Sequence, residues 1–168
     1  MTTQHNPADT ARKVAIMVGN GTDGPMVRKI YTALLAHGAL PRLVGSRLGK
    51  IEANDKSVLY VENTLEAGPA VLYDALVVPD GAAAISSLAC DALALAFVRE
   101  QYRHCKPIMV LGEGARLLHQ ASVPPALPDG SLDPALFGID GADLVASISA
   151  FKLALTARRS FARAGFAG

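Results

Sequence analysis

The sequence predicts an α/β protein, a three-layer, flavodoxin-like sandwich with a mainly parallel sheet. Three observations predict it. Short apolar runs, VAIMVG, LPRLVGS, ALVVP and PIMVLG, recur along the chain and are almost continuously hydrophobic, as strands buried on both faces must be. Helical segments and turn signals separate them, and strands alternating with helices close as a parallel sheet with right-handed crossovers. The core must be aliphatic, because hydrophobic residues make up 51% of the chain, aromatics 5%, and Trp is absent. That composition suits such a sheet better than an aromatic-rich β sandwich.

Each element has its own signal. Residues 1–12 are polar, contain Pro7 and lack periodicity, so they read as a flexible lead or linker remnant; residues 13–168 read as a single domain. VAIMVG (14–19) is the first strand, and the Gly-rich NGTDGP turn leads into a helix over about 26–37 that Gly38 ends. LPRLVGS (40–46) is the second strand. Residues 49–65 alternate apolar and polar stretches around Asn54-Asp55, as a small hairpin would. ALVVP (75–79) is the third strand, followed by a Gly/Ala turn and a helix over about 91–104. PIMVLG (107–112) is the fourth strand and runs into a short helix. PPALPDGSLDP then marks a long loop. A last helix starts at Asp143, and Lys152, Arg158, Arg159 and Arg163 lie in its C-terminal half, where cations suit the negative end of the helix dipole or simply a solvated face.

Composition also excludes classes of function. A net charge of +1 gives no field strong enough to suggest nucleic acid or an anionic membrane. No apolar run approaches the length of a membrane span, and the N-terminal residues lack the basic and apolar segments of a secretory signal, so the expected location is the cytoplasm. Cys90 and Cys105 have no metal-like spacing. His5, His37, His104 and His119 are scattered, without ligand spacing or a Ser or Cys partner. No cofactor or metal is therefore expected in this chain.

In parallel sheets of this kind, ligands bind outside the carboxyl ends of the strands, which directs attention to the turns at 19–24, 79–84 and 112–114. The first turn, GNGTDG, formally matches the dinucleotide signature G-x-G-x-x-G, though the second strand ends in Gly45-Ser46-Arg47 where an acid for a ribose would be expected. The alternative is a tight turn that needs glycine. Asp23 is a candidate acid there, although Asp in this place more commonly caps the helix that follows, and it could do both. Cys105, between His104 and Lys106, precedes the fourth strand and so falls at the amino edge, away from that crevice. Cys90 reads as the start of a helix and as a small hydrophobe.

The run IMVLGEGARLL has the outline of a nucleophile elbow, a sharp strand-to-helix turn, yet neither Ser nor Cys stands in it. Glu113 could act as a general acid or base, or pair with Arg116 on the next turn.

The elbow and the crevice acid resemble those of ThiJ/PfpI proteins, relatives of class I glutamine amidotransferases. That resemblance implies a Cys at the elbow, where this sequence has Gly112, with Glu113 at the following His position and Asp23 as the matching acid. The site set Asp23, Gly112 and Glu113 is then a vestige. More specifically, the ordered runs RKVAIMVGNGTDG, SRLGKIEAND, VLYDALVVPDGAAA and FVREQYRHCKPIMVLGEGARLL resemble the C-terminal domain of large-subunit catalases. Where that family often has a glycine pair after the Pro, this sequence has Asp80-Gly81, which departs from an oxyanion-type turn.

The resemblance implies a non-catalytic accessory domain. Decomposition of hydrogen peroxide, and the haem it requires, would belong to a core of several hundred residues not present in this chain. It further implies roles in stability, assembly or chaperone-like binding, with the catalase core or a second copy (a homodimer) as partner. The alternative is a free-standing hydrolase or glyoxalase-like enzyme of ThiJ/PfpI type that uses Asp23 and Glu113.

Overall fold

The computed structural model describes residues 11–157. Six strands form one sheet in the order β5-β2-β1-β6-β7-β8, with every neighbouring pair parallel. These strands are β1 (Lys13–Met17), β2 (Leu40–Gly45), β5 (Asn63–Thr64), β6 (Ala75–Val78), β7 (Ile108–Val110) and β8 (Leu136–Phe137). β3 (Gly49–Glu52) and β4 (Val58–Val61) make a separate antiparallel hairpin. The helices are α1 (Gly24–Ala36), α2 (Ala82–Leu88), α3 (Ala92–Arg103), α4 (Ala115–Gln120) and α5 (Leu144–Thr156).

The apolar runs form central strands because each supplies two buried faces. On β1, Val14 and Ile16 enter a cluster with α1 and α5, while Ala15 and Met17 enter a second cluster with α2, α3 and α4. β6 divides in the same way, with Ala75 and Val77 on one face and Leu76 and Val78 on the other, all fully buried. This alternation across one sheet generates the three layers. Phe151 of α5 is fully buried and meets Phe137 edge-on at 5.8 Å between ring centroids, which fastens the last helix to the edge strand.

Local signals set several boundaries. Gly38 at φ +85° ends α1, and Asp143 caps α5 by accepting the Ala146 N–H at 2.8 Å. Arg12 is already part of the packed unit, since its carbonyl accepts the Leu40 N–H at 2.8 Å and its Nε donates to the Leu155 carbonyl at 3.1 Å. Residues 1–10 of the expected lead, and Arg158, Arg159 and Arg163 of the expected basic helix end, lie outside the described residues.

Three expectations need correction. The Gly/Ala turn after β6 contains a further helix, α2. Its seven residues are too few to display helical periodicity, and its cap is Gly81 without a side-chain hydrogen bond. Cys90 consequently lies exposed in the turn between α2 and α3 and does not begin a helix; the cap of α3 is Asp91, which accepts the Leu93 N–H at 2.9 Å. The Pro-rich loop ends in β8, a strand of two residues recognisable only by its pairing with β7.

Candidate functional site

The chain leaves β1 for β2 on one side and later returns to β6 on the other, so the carboxyl ends of β1 and β6 flank the point where strand order reverses. The three turns singled out above meet there.

β7 delivers the elbow. The Leu111 N–H donates to the Val78 carbonyl at 3.0 Å, and Gly112 then adopts φ +52° as the chain swings into a short 3₁₀ turn and α4. Gly114 must also be glycine, since a Cβ there would lie 2.6 Å from the Val78 carbonyl oxygen. The turn is therefore a sharp strand-to-helix elbow held close against β6.

What occupies the elbow is Asp80. Its Oδ1 accepts the Gly81 N–H at 2.8 Å and the Glu113 N–H at 2.9 Å. A Cβ added to Gly112 would land on this carboxyl group, with Oδ1 only 2.6 Å away. The volume in which a side chain at residue 112 would begin is thus filled by the half-buried Asp80 carboxylate. Gly81, at φ +139°, permits the approach, because any Cβ there would meet the Gly21 carbonyl at 2.6 Å and the Thr22 Cα at 2.7 Å.

The backbones of Asp23 and Glu113 converge on Asp80, while their carboxylates are engaged elsewhere. The Asp23 N–H donates to the Asp80 carbonyl at 2.9 Å, and its Oδ1 caps α1 by accepting the Met26 N–H at 3.0 Å. Glu113 is exposed, and its Oε2 accepts from Arg116 Nη1 at 3.2 Å. The sequence signals Asp80 only as an acid at the end of an apolar strand, followed at once by glycine.

The Gly-rich turn does not offer a phosphate cradle. The Gly19 N–H donates to Thr22 Oγ1, Gly21 to the Glu52 carbonyl, Thr22 to the Gly19 carbonyl, Asp23 to the Asp80 carbonyl and Gly24 to Asn54 Oδ1. These five N–H groups, on which a pyrophosphate would draw, are already satisfied by the protein. Behind this turn, Asp55 takes part in holding the hairpin to α1. Its carboxyl is held below the usual range, first by the Ser57 hydroxyl and further by the Ser57 N–H and Arg28, whose guanidinium lies 2.9 Å away.

Cys105 is buried, at φ +57°, ahead of β7 and away from the elbow. The neighbouring Lys106 ammonium donates to the Tyr73 carbonyl at 2.6 Å. No group of three or more metal-binding side chains occurs among the described residues. Several hollows open at the surface of the described residues. One of about 540 Å³ lies beside Gly19, Arg47 and Lys50, and one of about 390 Å³ lies between Leu132, Phe137 and α5.

Residues 10–163 match the family described as the C-terminal domain found in long catalases. The chain belongs to that family. Among its relatives, Catalase HPII of Pseudomonas putida is 39% identical over 61% of this chain, and Catalase C of Rhizobium meliloti is 31% identical over 73%. Catalase-1 of Neurospora crassa is 32% identical over 68%. The matched regions span only 14% to 17% of the lengths of these three relatives.

The fold of this catalase C-terminal domain is shared with the DJ-1/ThiJ/PfpI superfamily. A DJ-1 superfamily protein from Salmonella typhimurium has a TM-score of 0.63 at 20% identity, covering 68% of this chain and 63% of that one. A two-domain protein from Anabaena variabilis, with DJ-1/ThiJ/PfpI-like and ferritin-like domains, has a TM-score of 0.65 at 20% identity. It covers 69% of this chain and 34% of that chain. At these identities the likeness shows the fold alone.

Proposed function

We propose that this catalase C-terminal domain is a non-catalytic accessory unit, and that peroxide decomposition belongs to the haem core of the catalases that carry such domains. The observation that supports this reading most directly is the elbow. Gly112 stands at the nucleophile position, and the Asp80 carboxylate fills the space that a reactive side chain would need. The hollow beside Gly19 and the hollow beside α5 present no His, Cys, Tyr or Met that could serve as an axial ligand to iron.

Purified chain incubated with haem and hydrogen peroxide tests the reading. The expected result is no stoichiometric haem binding and no oxygen release above that of free haem; either one would sink it. The rival carboxylate enzyme is tested with methylglyoxal. Parent chain and Glu113→Gln should give the same background rate, because Glu113 pairs with Arg116 at the surface and Asp23 caps a helix.

The accessory role proposed is stabilisation, assembly or chaperone-like binding, with the catalase core or a second copy as partner. It draws support from α5, whose exposed side carries two large apolar residues beside Ser149 and Thr156. Val145 and Leu153 are 60% and 72% exposed, and Leu132, beside the hollow that α5 borders, is 79% exposed. Apolar residues at this spacing on an outward helix face favour association. No single helix among the described residues is long and apolar enough to cross a membrane.

A further inference from the structure

Two backbone N–H groups from different turns converge on one point. The Gly81 N–H follows β6 and the Glu113 N–H follows β7, and Asp80 Oδ1 stands between them at 2.8 and 2.9 Å. The pairing of Val78 with Val110 holds these two strand ends side by side, so the donors are set by adjacent parallel strands and not by a single loop. Both donors would lose their protein partner if the carboxylate were removed, and water or another anion would take its place at this part-exposed site. Convergent N–H groups beside an elbow also form the arrangement that receives a negatively charged oxygen in acyl transfer. Here the chain supplies that oxygen itself.

We infer that the elbow is a preformed carboxylate-binding site occupied in cis by Asp80, and that removing this one side chain opens it to small external carboxylates such as acetate. The inference rests on reading the elbow as inherited and non-catalytic, and extends it. Asp80 satisfies both donors in this chain. Through Glu113, Asp80 also ties the end of β6 to the 3₁₀ turn ahead of α4 with a charge-assisted hydrogen bond, the stronger kind. The ligand class follows from the geometry. Two neutral N–H donors and a space the size of one carboxyl group suit a planar monoanion.

The test is an acetate titration of isotopically labelled protein, followed through the backbone amide signals of Gly81 and Glu113. In Asp80→Ala both signals should shift together and saturate. In the parent, and in Asp80→Asn, which keeps an oxygen in the site, neither should respond. A folded Asp80→Ala without a saturable response, or a parent that responds like it, would overturn the inference.

A second pair of variants does not depend on Asp80→Ala folding. Gly112→Ala alone should lower Tm, through its positive φ and its collision with the carboxyl group. In a double-mutant cycle, Asp80→Gly should lower Tm less in the Gly112→Ala background than in the parent, because the new methyl takes the vacated space; strictly additive losses would overturn the inference. Turnover of methylglyoxal that depended on Glu113 would refute the non-catalytic reading while leaving the acetate result to stand or fall separately.

Discussion

Asp23 commits its carboxylate to the first turn of α1 and its N–H to Asp80, so its loss should be felt as stability and not as chemistry. Asp23→Ala should cost about 1 kcal/mol, the usual value of an N-cap, and lower Tm by roughly 2–4 °C in a thermal melt. Asp55 contributes through charge. Its pKa is lowered in the folded chain, chiefly by the Ser57 hydroxyl, so its contribution is complete above the ordinary carboxylate pKa of about 3.9. That contribution is lost as the pH falls through the lowered folded value. Urea midpoints measured from neutral to strongly acid pH should therefore fall less steeply for Asp55→Asn than for the parent.

At the scale of elements, the hairpin and α5 show how one residue can attach a whole segment. A Cβ on Gly24 would lie 2.8 Å from the Ala53 Cβ, 2.8 Å from Asp55 Oδ1 and 2.9 Å from Ser57 Oγ, so the first residue of α1 is the floor on which the hairpin turn rests. Gly24→Ala should destabilise by roughly 1–3 kcal/mol through overpacking, with amide exchange rising first in β3 and β4. Phe151 plays the corresponding part for α5. Phe151→Ala removes a fully buried ring and its edge contact with Phe137, and should cost about 3–5 kcal/mol in chemical denaturation.

The elements that the sequence displayed were those with local or periodic signals. The apolar runs of β1, β2, β6 and β7, the glycine after α1 and the aspartate caps of α1 and α5 all act within a few residues of themselves. α2 and β8 lack such signals. Seven residues of AAAISSL complete fewer than two helical turns, and Leu136-Phe137 is a strand only because it pairs with Ile108 and Met109.

For the whole molecule, the proposed accessory role makes the outer face of α5 the place to intervene. Val145→Lys together with Leu153→Lys should leave Tm within a few degrees of the parent, since both side chains are already exposed. The same pair should weaken concentration-dependent association in light scattering and any suppression of client aggregation. Unchanged scattering would separate the exposed face from the proposed role.

The sequence by itself determined the parallel α/β sandwich, the elbow at Gly112 and, through its ordered motifs, membership of the catalase C-terminal family. Asp80 was visible there only as a departure from a glycine pair. The tertiary structure decided what that departure does. Asp80 and Glu113 lie 33 positions apart, and only the register of β6 against β7, with Val78 beside Val110, brings the Asp80 carboxylate to the Glu113 N–H. Strand pattern specifies which faces are buried, whereas register and the crossover between strands fix which turn residues meet. For that reason the elbow could be read along the chain, and its occupant could not.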